Sequence, residues 1–177
     1  MNRVFAGLLL VFIDFNLDIG ASRIGLFPDF LGYIFMLRGT AELVQYSSRF
    51  EKTRPYITAM IGYTLILYVL DLFGFSRTGG AGIIGMLLGF ASLCASLYIS
   101  FNLVMGVKDI EIMRAQDLNG DKLLSIWKLQ AVMLAAVHFL IIIPPLAIIC
   151  MLVGILVTVY FLVVFYRTKG LFYEMHW

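Results

Sequence analysis

Asp14, Asn16, Asp18, Arg23, Asp29 and Arg38 interrupt an otherwise apolar stretch at positions 8–40, LLLVFIDFNLDIGASRIGLFPDFLGYIFMLRGT. Ionisable groups at membrane depth cost a few kcal/mol each on insertion scales, so each needs a partner or a purpose. Asp14 and Asp18 stand four apart, which places them on one face of a helix. Two carboxylates sharing a site resist being ionised together, so such a pair takes up a proton or a cation. A short turn after this helix sets Asp18 opposite Asp29 and Asp14 opposite Tyr33. The resulting group has the chemistry to hold a cation, exchange protons or meet a basic group on a substrate. A structural reading stands beside it, in which Arg23 and Arg77 neutralise the carboxylates.

The other polar positions also carry two readings. Asp29 follows Pro28, which suits the start of a helix, and a carboxylate there faces the positive end of the helix dipole. Arg38 has two candidate partners, Asp14 across the hairpin and Glu42 one turn along its own helix; the spacing favours Glu42, with the pair reaching the membrane surface. Thr64, Tyr68 and Asp71 form a polar stripe further on and add another carboxylate to the candidate ion- or substrate-binding residues. The order D-x-x-x-D-x-G-x-x-R, then G-x-x-x-D, superficially matches CDP-alcohol phosphotransferases. Those enzymes need D-x-x-D-G-x-x-A-R, and Tyr33 stands where their final Asp belongs. No nucleophile–base pair, zinc spacing or phosphate loop occurs elsewhere, so no catalytic residue, metal or cofactor is expected.

These residues must be positioned by membrane helices. The 177-residue chain is 62% hydrophobic and 14% charged, with a mean hydropathy of +0.96, far from the usual soluble range. A net charge of +2 without a basic cluster gives nucleic acid no footing. Cys94 and Cys150 lie in apolar runs without ligand spacing and read as small packing residues. A spanning helix needs about 20 apolar residues, which divides the chain into six: about 4–22, 27–46, 56–75, 82–106, 126–143 and 146–166. Pro144-Pro145 breaks the last apolar run, because proline cannot continue a helix interior. The expected fold is one all-α domain, an integral membrane bundle of six helices.

Between the fourth and fifth spans, segment 107–125 is the sizeable polar piece. Val107, Ile110 and Met113 recur at helical spacing, so the fourth helix extends beyond the membrane, and Asn119-Gly120 marks a turn. Asp117, Asn119 and Asp121 imitate a calcium loop, but Lys122 replaces its required Gly and Lys128 its closing Glu. On the fourth helix Gly85, Gly89, Ser92, Ser96 and Ser100 line one face. Small residues let helices approach closely, so this ridge reads as packing against a helix of the chain, a second copy or a partner protein. A faint repeat at an offset of 57 pairs Asp14 with Asp71, Gly25 with Gly82 and 31–33 with 88–90; matches among Gly and Leu arise easily in such sequence.

FIDFNLDIG followed by GLFPDFLGYIFMLRG resembles a group of small multi-spanning membrane proteins of Gram-positive bacteria that carry a D-I-G … L-P-D-F-I/L-G-Y-I pattern near the N-terminus. The resemblance covers about 5–55. It implies location and topology and transfers no site. Phe27 departs from it, standing where an aliphatic residue precedes the proline.

The functional expectation is a transporter-like or ion- or proton-responsive membrane protein using Asp14, Asp18 and Asp71. The alternative is a non-catalytic subunit that docks through Gly85/Gly89 and 107–125, with a lipid-modifying enzyme third. The six-span threading puts Arg3, Arg49, Lys52, Arg54, Lys108, Arg114, Lys122, Lys128, Arg167 and Lys169 on one side and only Arg23 and Arg77 on the other. That asymmetry makes the first side cytoplasmic, with both termini. Reporter fusions at 177 and within 76–80 should therefore report a cytoplasmic C-terminus and an external loop; an external C-terminus would refute the topology.

Overall fold

The computed structural model describes residues 1–12, 16–19, 22–25, 28–73, 82–140 and 144–174. The chain is all-α apart from one short hairpin: α1 (Asn2–Phe12), strands β1 (Asn16–Ile19) and β2 (Ser22–Gly25), α2 (Asp29–Leu43), α3 (Ser48–Leu72), α4 (Gly82–Arg114), α5 (Gly120–Phe139) and α6 (Pro144–Glu174). Three helices, α3, α4 and α6, are long and apolar enough to cross a membrane. They run 25, 33 and 31 residues, or about 37–50 Å at 1.5 Å per residue, against a hydrocarbon core of about 30 Å. The chain is thus a membrane protein by these helices. α1, with 11 residues, and α2, with 15, are shorter than a span requires. α5 has 20 residues, but its first turns carry Asp121, Lys122 and Lys128.

The boundaries follow local chemistry. Expected helix 4–22 stops at Phe12, and the sequence Asn16-Leu17-Asp18-Ile19 forms a strand instead. Asn and Asp are poor helix formers, and polar and apolar residues alternate here with the period of a strand. β1 and β2 pair antiparallel with Asp18 opposite Arg23 and Ile19 opposite Ser22. α3 begins eight residues before its expected start at 56, because Ser47 caps it: its backbone is extended and its Oγ accepts from the Arg49 N–H at 3.2 Å. α4 does continue to Arg114, burying Val107 and Ile110 completely against the bundle while Met113 stays exposed. Asn119 takes a left-handed backbone at the turn, φ 62°. There the Glu111 carboxylate accepts from the Gly120 N–H at 2.9 Å, satisfying a donor that the start of α5 would leave open. Pro144 opens α6, as the double proline suggests, and α6 runs on past 166 to Glu174.

The six helices form a ring in which each packs on its sequence neighbours and α6 returns to α1. Cross-helix pairs show that neighbours are antiparallel. Arg3 meets Glu42 at 2.6 Å, Arg49 meets Asp109 at 3.0 Å and Trp127 Nε1 donates to Ser100 Oγ at 2.9 Å. Gln130 Nε2 donates to Thr158 Oγ1 at 3.2 Å, and the ring of Phe5 stacks on that of Phe165 at 6.4 Å. The best-buried side chains, including Phe50, Ile57, Val107, Ile110, Leu118, Phe161 and Phe165, concentrate toward the end where Met1 meets Tyr173. Toward the other end α3 exposes Ile66 and Leu72, with Phe73 just past it, α4 exposes Leu87 and Leu88, and α6 exposes Ile148, Ile149, Met151, Leu152, Ile155 and Leu156. Such apolar faces suit hydrocarbon.

The glycines that bring helices together are those of the first hairpin. A Cβ on Gly7 would lie 2.5 Å from the Gly32 carbonyl oxygen, and one on Gly39 would lie 2.6 Å from the Val4 nitrogen. A Cβ on Gly32 would strike Val11 at 2.7 Å and the Gly7 carbonyl oxygen at 2.9 Å. α1 and α2 therefore touch backbone to backbone. On the α4 ridge, a Cβ on Gly89 would meet nothing within 4 Å among the described residues, whereas Ser96 and Ser100 meet Tyr33 and Trp127. Gly32 and Gly89 are equivalent in the 57-residue repeat, yet one is wedged against a helix and the other faces open space. Gly7→Ala and Gly39→Ala should each destabilise by about 1–3 kcal/mol through overpacking, lowering the detergent melting temperature by several degrees. Gly89→Ala should leave it unchanged or raise it, since alanine is the better helix former. Equal effects at all three positions would contradict this packing.

Candidate functional site

Three positions of the sequence-derived site, Asp18, Asp29 and Asp71, belong to the hairpin end of the bundle. Asp29 is the first residue of α2, in the turn that faces the helix dipole, with Pro28 before it at the cap. The ring of Phe30 meets that of Tyr68 edge-on at 5.7 Å, which joins the start of α2 to the upper part of α3, whose last turn carries Asp71. β2 packs against α3, so Asp18 and Arg23, opposite each other in the hairpin, belong to the same end. Asp18, Asp29 and Asp71 thus belong to elements at one end of the bundle. This differs from the expectation, because Asp18 is on a strand and does not share a helix face with Asp14. Asp14 and Arg77 lie outside the described residues. Among the described residues no group of three His, Cys, Asp or Glu is placed to hold a metal ion.

Tyr33 is placed beside another partner than the one expected. It is 2% exposed, and its Oη shares a hydrogen bond of 2.9 Å with Ser96 Oγ on α4. This bond crosses the ring, since α2 and α4 are not neighbours. The serine stripe on α4 is satisfied throughout: Ser92 Oγ donates to the Gly89 carbonyl at 2.8 Å, and Ser100 Oγ donates to the Ser96 carbonyl at 2.9 Å while accepting from Trp127. Thr64 Oγ1 likewise donates to the Met60 carbonyl at 2.7 Å. Arg38 is exposed, and the expected Arg38–Glu42 pair is replaced by Arg3–Glu42. The reason is geometric: the glycine contact draws the start of α1 against the end of α2, bringing Arg3 to Glu42.

A comparison with family models, curated proteins and solved structures finds no match to this chain. The site therefore stands on its own chemistry.

Two features escape sequence reading because each needs residues distant in sequence. At the end that carries Met1, the Asp109 carboxylate accepts from Ser47 Oγ at 2.5 Å and from Arg49 Nε at 3.0 Å, tying the α2–α3 turn to α4. Thr168 Oγ1 donates to the Leu118 carbonyl at 2.8 Å, Arg114 lies over the ring of Tyr46, and Lys108 pairs with Asp121 at 2.6 Å. That hydrogen bond to Asp121 is the largest influence lifting the Lys108 ammonium above its ordinary value. The second feature is an apolar cavity of about 280 Å³ between α1, α5 and α6, with Thr158 in its wall.

The Tyr33–Ser96 bond makes a direct test of the ring-crossing contact. Tyr33→Phe and Ser96→Ala should each cost about 1 kcal/mol, and the double variant should cost less than the two singles together. Strict additivity in detergent melting would show that the two hydroxyls do not interact.

Proposed function

We propose that this is an ion- or proton-responsive, transporter-like membrane protein whose responsive group is the carboxylate cluster at the hairpin end. The observation that carries the reading is the convergence of three chain segments there. The hairpin with Asp18, the first turn of α2 with Asp29 and the last turn of α3 with Asp71 belong to one end of the ring. Asp14 is the fourth member, from the segment leading into the hairpin. In this proposal both termini and the Lys/Arg-rich end are cytoplasmic, so the cluster faces outward. Arg23, opposite Asp18, and Arg77 set the balance of charge at which a cation or proton is taken up.

A second reading has one observation in its favour. The α4 ridge leaves Gly89 open, between exposed Leu88 and Phe90, and small residues flanked by apolar ones accept another helix at close range. Under that reading the chain is a non-catalytic subunit, or pairs with a second copy, through Gly85 and Gly89.

Melting temperature against pH and against a panel of cations separates the two. For the ion-responsive protein, wild type should gain stability with one cation or over one pH interval; a ligand at 100 times its Kd contributes about 2.7 kcal/mol. Asp14→Asn, Asp18→Asn and Asp71→Asn should fold and lose that response. Curves flat in wild type, or a response unchanged in all three variants, would end the proposal. Loss of partner capture on Gly89→Leu with the ion response absent would favour the second reading.

A further inference from the structure

One strip of α6 joins apolar surface to positive charge that the chain leaves uncancelled. Leu152, Leu156, Val159 and Val163 are exposed and recur at three- and four-residue intervals, and exposed Arg167 continues the series. At 3.6 residues per turn these five positions fall within about 80° of one another, so they share the outward face of α6. Leu152 to Val163 covers roughly 16 Å of helix, the depth of one leaflet of a hydrocarbon core about 30 Å thick. Two exposed tyrosines flank the strip near its charged end, and each is covered by a lysine. Tyr160 lies on the α5 side, with Lys122 Nζ 5.6 Å from its ring centroid. Tyr166 lies on the α1 side, with Lys169 Nζ 4.2 Å from its ring and 5.0 Å from that of Phe5. An ammonium held over a ring face still has donors for an anion, and tyrosine favours the boundary between hydrocarbon and water.

Nearby carboxylates do not answer this charge. Ion pairs at this end join Arg3 to Glu42, Arg49 to Asp109 and Lys108 to Asp121, and none among the described residues includes Lys122, Arg167 or Lys169. Glu174, the next carboxylate along α6, is seven residues past Arg167, about 10 Å further from the strip. Burial holds the Met1 amino group below its ordinary pKa, and Lys169 and Arg3 lower it further against the opposing pull of Glu42. Lys169 therefore adds to charge already gathered at the seam of α1 and α6. We propose that this face of α6 binds an anionic phospholipid, with an acyl chain along Leu152–Val163 and the phosphate on Arg167 between Lys122 and Lys169. The apolar strip by itself suits any lipid; three uncancelled cations at one end of it select a negative one. A guanidinium meets two phosphate oxygens with paired donors, which makes Arg167 the centre of the headgroup site. The inference uses α6 as a membrane helix and none of the carboxylates at the hairpin end, so it stands apart from the ion-responsive reading.

The test is thermal unfolding of the purified full-length chain in uncharged detergent, titrated with dioleoylphosphatidylglycerol, dioleoylphosphatidylcholine or inorganic phosphate. In wild type the phosphatidylglycerol should raise the melting temperature by several degrees, at least twice the shift given by the phosphatidylcholine, and phosphate should give none. A basic residue at a membrane surface is worth about fivefold in affinity for anionic lipid. Arg167→Gln should therefore raise the half-saturating phosphatidylglycerol concentration about fivefold. Lys122→Gln, Arg167→Gln and Lys169→Gln together should reduce the phosphatidylglycerol shift to that of phosphatidylcholine. Lys52→Gln with Arg54→Gln removes more exposed charge than Arg167→Gln, but from α3, and should leave the titration unchanged. Equal shifts from the two lipids, no shift from either, or a shift reproduced by phosphate would overturn the proposal. So would a loss of affinity in the α3 pair as large as in Arg167→Gln, which would show attraction to overall charge. The wild-type comparison of lipids and the Arg167→Gln titration decide the matter even where the triple variant does not fold.

Discussion

The structure depends on the approach of α1 to α2. An 11-residue helix is too short to be held by spanning a bilayer, and hydrocarbon supplies no hydrophobic drive between helices. What fixes α1 is contact at backbone range, through Gly7, Gly32 and Gly39, where dispersion acts over the whole interface. Once α1 is held there, its other face carries Phe5 and Phe12 to the rings of Phe165 and Phe161 on α6. The same short helix therefore joins the first hairpin to the last helix and closes the ring. Arg3–Glu42 follows from this contact and is not its cause, since a half-exposed pair contributes little by itself.

Packing is divided unevenly along the axis. At the end that carries Met1, buried Phe50, Phe165 and Phe172 are joined by hydrogen bonds from Ser47, Arg49 and Thr168 that cross from one helix or turn to another. Gly106 leaves room for the tip of the Phe50 ring against α4, where a Cβ would come within 2.5 Å of it. At the hairpin end the helices turn apolar faces outward, and the polar residues belong to connections and helix ends. Local opening takes place where buried contacts are fewest. The end that carries Met1 therefore holds most of the buried contacts among the described residues.

What the sequence makes legible is what local chemistry decides. Membrane character follows from composition. The start of α6 follows from Pro144-Pro145, the turn before α5 from Asn119-Gly120, and the length of α4 from the spacing of Val107 and Ile110. The hairpin was legible in principle: the alternation of Asn16, Leu17, Asp18 and Ile19 has the period of a strand, but the apolar run before it argues for one continuous helix. Spans for α1 and α2 are not established by helices of 11 and 15 residues, since apolar composition does not tell a crossing helix from a short one packed inside a bundle. The role of a glycine was illegible, because Gly32 and Gly89 have similar neighbours in sequence and differ only in what stands opposite. Gln130 and Thr158 are 28 positions apart and acquire meaning only when α5 meets α6.

The hydrogen bonds from Met1 and Asn2 to the Tyr173 hydroxyl, both 3.2 Å, have a topological consequence. A circle of helices that alternate in direction closes without conflict only when their number is even, and such a circle has no privileged first member. Its two chain ends are neighbours at one rim, so the order in which the helices are strung along the polypeptide is separable from the order in which they pack. Helices enter or leave such a circle in pairs, because one added alone would force two neighbours to run parallel. A peptide joining 174 to 1, with the break moved to the 115–119 connection, would preserve every neighbour relation in the bundle. The architecture belongs to the cycle of contacts, and the position of the chain break is a free choice within it.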